Sequence, residues 1–164
     1  MADFQFLSAT FKQAGQTIYN LIEGWNFFLH NEVVVGITED SNSARGSVSN
    51  AELLYLHDSG VPSRNIPARP VLRPAISEDA TKSQIETLMK EAAYKALVQG
   101  DKDGCEQNFH KAGMIGRDAC KKYITSGSNL APNAPSTIAR KHSSKPLIDT
   151  ASMLNSITYA VRKK

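Results

Sequence analysis

The sequence predicts an α+β domain: a mainly antiparallel β-sheet packed against an antiparallel helix pair, with an N-terminal helix and extended loops. Three observations carry that expectation. Two long stretches, Asp79–Val98 and Asp103–Thr125, repeat apolar residues at helical spacing and are separated by only a few residues. Two short segments read as strands, Glu32–Ile37 because it is β-branched and Ser156–Val161 because it alternates. Helices and strands come in blocks and do not alternate, which disfavours a parallel α/β sheet. At 164 residues and 41% apolar content the chain suits a single domain, 1–164. Within it we place an N-terminal helical segment at 1–30 and a core at 31–162, with loops at 38–50, 60–76 and 126–150.

From Ser8 to about Glu23 the residues Leu7, Phe11, Ala14, Ile18 and Leu21 recur at steps of three and four, an amphipathic helix that must pack on the domain or on a neighbour. "EVVVGI" is then a buried strand ending near Gly36, and the polar "TEDSNSARGSVSN" a loop. "AELLYLHDSG" (Ala51–Gly60) reads as a short helix, with Asn50 as N-cap and Gly60 as stop signal. "IPARPVLRP" (Ile66–Pro74) follows. Its three prolines fix φ, remove donors and push each preceding residue into the extended region, so the stretch reads as a pre-ordered extended arm. On such an arm Arg69 and Arg73 share a side, facing carboxylates or DNA, or else bonding helix C-termini of their own chain.

The first long helix carries the stripe Ile85, Leu88, Met89, Ala92, Ala96 and Leu97. Thr81 and Gln84 have capping-box spacing, and Gly100 ends it. The second places Phe109, Ala112, Gly113, Gly116, Ala119, Cys120 and Tyr123 on one broad face, small enough for another backbone to approach closely, with Gly127 as its stop. Residues Ser126–Pro146 are loop-like and include the basic "ARKHSSK". In the last strand Ile157, Tyr159 and Val161 lie on one face.

Composition narrows the functional classes. No apolar run approaches the ~18 residues of a membrane span, and the N-terminus lacks the pattern of a secretory signal, so synthesis in the cytoplasm is expected. The net charge of +3 is uneven: residues 1–100 carry 8 Lys/Arg against 11 Asp/Glu, and residues 101–164 carry 11 against 5. The basic half suits nucleic acid, an acidic neighbour or plain solvation. Cys105 and Cys120 fall on one helix, roughly 22 Å apart along its axis, and cannot pair with each other. That usage fits a reducing compartment. With His110 they match no compact zinc pattern. His57 and Asp58 are adjacent on a helix and point apart, so they are no ready acid–base pair. There is no nucleophile elbow, phosphate-binding glycine loop or zinc-protease motif, which argues against an enzyme and against a cofactor. "ARKHSSK" and "VRKK" can touch phosphate, but no aromatic ladder or nucleic-acid-binding signature accompanies them.

Three stretches in order, "VVVGI", then "YLHDSG" with "IPARPVLRPAI", then "NLAPNAPSTIARKHSSKPLIDTASMLNSITYAV", resemble the tailed-phage virion-morphogenesis proteins of the tail-completion or neck type. The resemblance covers roughly Val33–Val161. The family shows a strand ending in "VGI", a short helix ending in an acidic residue and Gly, a proline-arginine element, and a "K-P-L-hydrophobic-D-T" element before the last strand. This chain departs from the pattern at Asp58–Ser59, at Val71 in place of Phe, and at Ala151 in place of Gly. The last departure predicts a backbone at Ala151 that does not need positive φ.

The resemblance implies a non-enzymatic structural protein of the virion, made in the host cytoplasm. It would form a homo-oligomeric ring, a hexamer or else a dodecamer, at the head–tail junction around the DNA channel. Its partners would be adjacent connector or portal-side and tail-side virion proteins, with transient contact to genomic double-stranded DNA and none to membrane. On that reading Ile66, Pro67, Arg69, Pro70, Leu72 and Arg73 form a subunit interface. Arg140, Lys141 and Lys145, on a mobile loop, meet a neighbouring ring or the channel. The rivals are a tail-terminator ring and, from another class, a small basic nucleic-acid-binding phage protein.

Overall fold

Helix α1 (Ala2–His30) leads into strand β1 (Asn31–Gly36), a 3-10 turn at Glu39–Ser41, and a minimal hairpin of β2 (Ala44–Arg45) and β3 (Val48–Ser49). Helices α2 (Asn50–Ser59), α3 (Leu72–Ser77), α4 (Asp79–Tyr94), α5 (Lys102–Ser126), α6 (Pro135–Lys141) and α7 (Ser152–Ser156) follow, and β4 (Thr158–Lys163) closes the chain. Strand β1 pairs with β4, and β2 pairs antiparallel with β3, Ala44 opposite Ser49. The computed structural model describes residues 2–45 and 48–164; Gly46 and Ser47 of the expected loop, and the side chain of Leu7 in the expected N-terminal stripe, lie outside what is described. The class is α+β, with helix dominant and each sheet only two strands wide. Contacts divide the chain into two compact units, residues 2–33, 86–112 and 161–164 in the first, and 34–85 and 113–160 in the second.

The first unit is built around Phe109 of α5, 1% exposed, with the rings of Phe27 and Phe28 of α1 centred 5.7 and 5.9 Å away. Ala92, Ala96 and Cys105 are buried with it, and Met89, Val33 and Val161 pack against them. The sequence stripe thus finds its core, except that Ile85 and Leu88 are only half-buried and stand outside it. After Tyr94 the helix continues as a π-helical turn, Lys95–Gln99. A Cβ on Gly24 would strike the carbonyl of Ala96, so α1 lies with its backbone on that turn, and Trp25 Nε1 donates to Leu97 O at 3.1 Å. Gly100 ends the turn at φ 64, where a side chain would also meet the Asn20–Leu21 backbone at 2.8 Å. Asp101 then caps α5, its carboxylate accepting from Gly104 N at 2.8 Å.

The second unit gathers Val71 and Ala75 of the α3 region, Cys120 and Ile124 of α5, Leu130 and Ile157 into one core. The small-residue face of α5 serves the sheet: an ideal Cβ at Gly116 would stand 2.9 Å from Val35 Cγ2, and one at Gly113 would run into the Tyr159 ring. Arg117 reaches over that ring, 5.8 Å from its centroid. Cys105 and Cys120 are free and buried in different units, and burial pushes each thiol up to about 11.

Several sequence expectations need correction here. The proline-arginine stretch is extended only to Pro70. Beyond it α3 forms, because Val71 and Ala75, both 0% exposed, anchor a helical turn. Pro74 sits in the first turn of α3, where no intrahelical donor is missing. Arg73 is therefore helical and exposed and does not share an extended edge with Arg69. The 126–150 loop contains α6, started by Pro135 at its first position and stopped by His142 at φ 52. Arg140 and Lys141 thus sit on its last turn, where the helix dipole favours cations, and not on a mobile loop.

The cap of α2 is Ser49, in a capping box with Glu52, and not Asn50. Asn50 is instead fully buried, its amide nitrogen 2.7, 3.0 and 2.8 Å from the hydroxyls of Ser43, Ser152 and Ser156. Thr81 lies inside the first turn of α4, which begins at Asp79, and is not its cap. Ala151 does adopt positive φ, at 59°, against the expectation that its backbone would not need the left-handed region.

Candidate functional site

The second unit holds a cleft of about 980 Å³. One wall is the C-terminal end of α2 with the segment that follows it. Gly60 breaks the helix at φ 72; a Cβ there would meet Ala68 N at 2.7 Å, so only glycine lets the chain double back. The return is fixed by paired backbone bonds between Val61 and Ile66 (2.8 and 3.1 Å) and by Arg69 N donating to His57 O at 2.6 Å. Asp58, turned away from the cleft, accepts from Val71 N at 3.1 Å and ties the segment to α3.

Arg69 joins this wall to the other. Its Nε donates to Ala131 O at 2.7 Å and its Nη2 to Pro132 O at 2.8 Å, and the residue is only 7% exposed. Burial holds its guanidinium below the ordinary arginine range. The second wall is the 132–134 segment and α6, with Lys141 Nζ donating to Lys145 O at 3.2 Å. Asn133 Nδ2 holds the carbonyls of Ser144 and Lys145 at 3.2 and 3.1 Å. Leu147, Asp149 and the Ala151–Met153 turn close the far side.

The cleft lining carries three cations, Arg69, Arg140 and Lys141, and one carboxylate, Asp149. Lys141 is pushed below the ordinary lysine value by desolvation first and then by Arg69 and Arg140, against the pull of Asp149. His57 is pushed down too, by desolvation and then by Arg69 and Lys141. Its Nδ1 is buried without a hydrogen-bond partner. Leu53, Ile66, Pro67, Leu147 and Met153 supply apolar wall. The arrangement suits a carboxylate or phosphate carried on a partly apolar segment.

Two separately read groups of residues therefore meet. Ile66, Pro67 and Arg69 line the same cleft as Arg140 and Lys141. Pro70 and Arg73 are exposed elsewhere, Leu72 packs on the core of the second unit, and the Lys145 side chain is exposed outside the cleft lining. Sequence reasoning weighed His57 only as an acid–base partner of Asp58, and assigned no cleft role to Asn133 or Asp149. The signal for Asp149 was its place in the "KPLIDT" element; nothing marked Asn133. Among the described residues no group of three or more His, Cys, Asp or Glu could hold a metal ion, and no helix is long and apolar enough to cross a membrane. Comparison of the chain with protein-family models, curated proteins and solved structures finds no match.

Proposed function

We propose that this chain is a structural protein of a tailed-phage virion, assembled as a ring at the head–tail junction, and that its cleft receives an acidic, partly apolar segment of an adjacent subunit or ring. The observation that carries the reading is the convergence of His57, Arg69, Arg140 and Lys141 on one cleft. The segments that build it are those that resemble the neck proteins: the short helix ending in "HDSG", the proline-arginine element, and the run from "NAPSTIARK" to "KPLIDTA". Arg69 is already committed to its own chain, so it organises the cleft, while Arg140 and Lys141 supply charge to an incoming group. The lysine and histidine in the cleft are depressed by burial and like charge, a pattern made by an anion-docking site as well as by a catalytic one.

Charge reversal tests it. Arg140→Glu with Lys141→Glu alters a helix end and leaves both cores intact, so monomer folding should persist while joining of heads to tails fails. The nucleic-acid rival uses the same cations on phosphate. If Arg140, Lys141 and Lys145 all neutralised phosphates, affinity for random duplex DNA would fall with salt at a log–log slope of roughly −2.7. Submicromolar binding near physiological salt, lost on alanine substitution of the three, would favour that rival. Micromolar or weaker binding, insensitive to them, is expected.

A further inference from the structure

The exposed face of α1 is the feature that neither core nor cleft explains. Phe11, Ile18, Ile22, Trp25 and Leu29 are 77, 59, 53, 51 and 54% exposed. With Gly15 they fall at 11, 15, 18, 22, 25 and 29, alternating steps of four and three, which is the 3.5-residue seam of a coiled coil. The opposite side of the helix changes character along its length. It is Gly24, Phe27 and Phe28 where α1 meets the first unit's core, and Gln13, Gln16, Thr17 and Asn20 where every residue from 10 to 20 is exposed. The seam stays apolar through both regions, so packing on its own unit does not account for it. Nor does helix propensity: the 10–20 segment contains Gly15, two threonines and Ile18, a poor helix for a stretch whose residues are all exposed.

We infer that this face pairs with the same face of a second copy of the chain, antiparallel, about a two-fold axis near Asn20. In that register Ile18 meets Ile22 of the other copy, Phe11 meets Leu29, and Trp25 meets Gly15. The sizes match. Trp25 is the largest residue of the seam, and a Cβ placed on Gly15 would find nothing within 4 Å, an open notch for the exposed half of the indole. A parallel pair would set Trp25 on Trp25 and Gly15 on Gly15. Only Lys12 and Glu23 are charged between residues 10 and 29, so nothing in the seam selects an oppositely charged partner. At ~150–250 Å² per large side chain, the exposed fractions, with the 58% exposed Tyr19, leave roughly 700 Å² open per copy, near the ~800 Å² per partner of a stable dimer. The contact is isologous and closes after two copies, so it is separate from any head-to-tail contact of a ring and does not rest on the cleft.

Sedimentation of the full chain tests the pairing. The wild type should associate two by two. Ile18→Lys and Ile22→Glu, each at an exposed position, should keep the wild-type circular dichroism and melting of the monomer and weaken pairing by about ten-fold or more, since each buries an unpaired charge. An equimolar mixture of the two variants should regain the pair, because position 18 of one copy meets position 22 of the other. A wild-type chain that stays monomeric at about 100 µM would assign the face to another protein and overturn the inference. Pairing unaffected by either variant, or a mixture that fails to recover, would overturn it as well.

Discussion

Replacing Arg69 with alanine should destabilise the isolated monomer. The side chain makes two charge-assisted bonds, at 2.7 Å to Ala131 O and 2.8 Å to Pro132 O, and is 7% exposed. Bonds of this kind contribute ~1.5–3 kcal/mol each. The freed Pro132 is exposed and can take up water, whereas Ala131 is half-buried and recovers less, so the sum is reduced to about 2–4 kcal/mol. In a chain of this size that corresponds to a fall of roughly 5–12 °C in melting temperature. Arg69→Lys should recover only part, because an ammonium cannot reproduce the two-bond fork. Arg73→Ala, on the exposed side of α3, should stay within about 0.5 kcal/mol of wild type. Differential scanning calorimetry of the three variants is the assay. An Arg69→Ala protein melting within a degree of wild type would refute the clamp and return Arg69 to the role of a free interface cation.

Three further outcomes are expected. Ala151→Gly should stabilise the protein by about 0.5–1 kcal/mol in urea denaturation, because a residue at φ 59 loses its Cβ strain; a loss of stability would show that the alanine methyl makes a contact worth more than the strain. Gly116→Leu should cost about 1–3 kcal/mol, since its Cβ alone would press on Val35 at 2.9 Å; a wild-type midpoint would mean that α5 and the strand do not touch there. His57 should give the folded state an acid weakness. The unfolded chain binds the imidazole proton near pH 6.5 and the folded chain only at lower pH, so stability is fully present above pH 6.5 and declines as pH falls through the window between the two values. His57→Gln should flatten that decline in a series of melts from pH 7.5 to 5, and an unchanged acid limb would place the imidazole in water.

The parts of the fold that were legible in the sequence are those fixed by periodicity and helix punctuation. The α4 and α5 stripes predicted the Ala92–Ala96–Phe109 packing, and Gly60, Gly100 and Gly127 stop helices because each sits at positive φ. Helix α3 was hidden by its prolines: Pro67 and Pro70 do enforce extension, but Pro74 falls in a first turn and permits helix. Helix α6 is seven residues long with no apolar stripe, so no period announced it. Arg69 looked like a surface cation because local sequence cannot show two carbonyls contributed from 62 and 63 residues away. The cleft was illegible for the same reason, since His57 and Lys141 come from separate segments brought together only by tertiary contacts. Ala151 misled through a sound local rule, that alanine avoids positive φ; it nonetheless precedes α7 in the left-handed region.

The claim that the cationic cleft docks an acidic neighbour at a head–tail junction is tested most directly by electron cryomicroscopy of particles assembled with the wild-type chain and with Arg140→Glu plus Lys141→Glu. The account predicts a ring of this chain at the wild-type neck, with a neighbour's carboxylate side chains ordered against Arg140 and Lys141. It also predicts tailless heads from the charge-reversed chain. Complete particles from the charge-reversed chain, or wild-type particles whose neck lacks this chain, would contradict it.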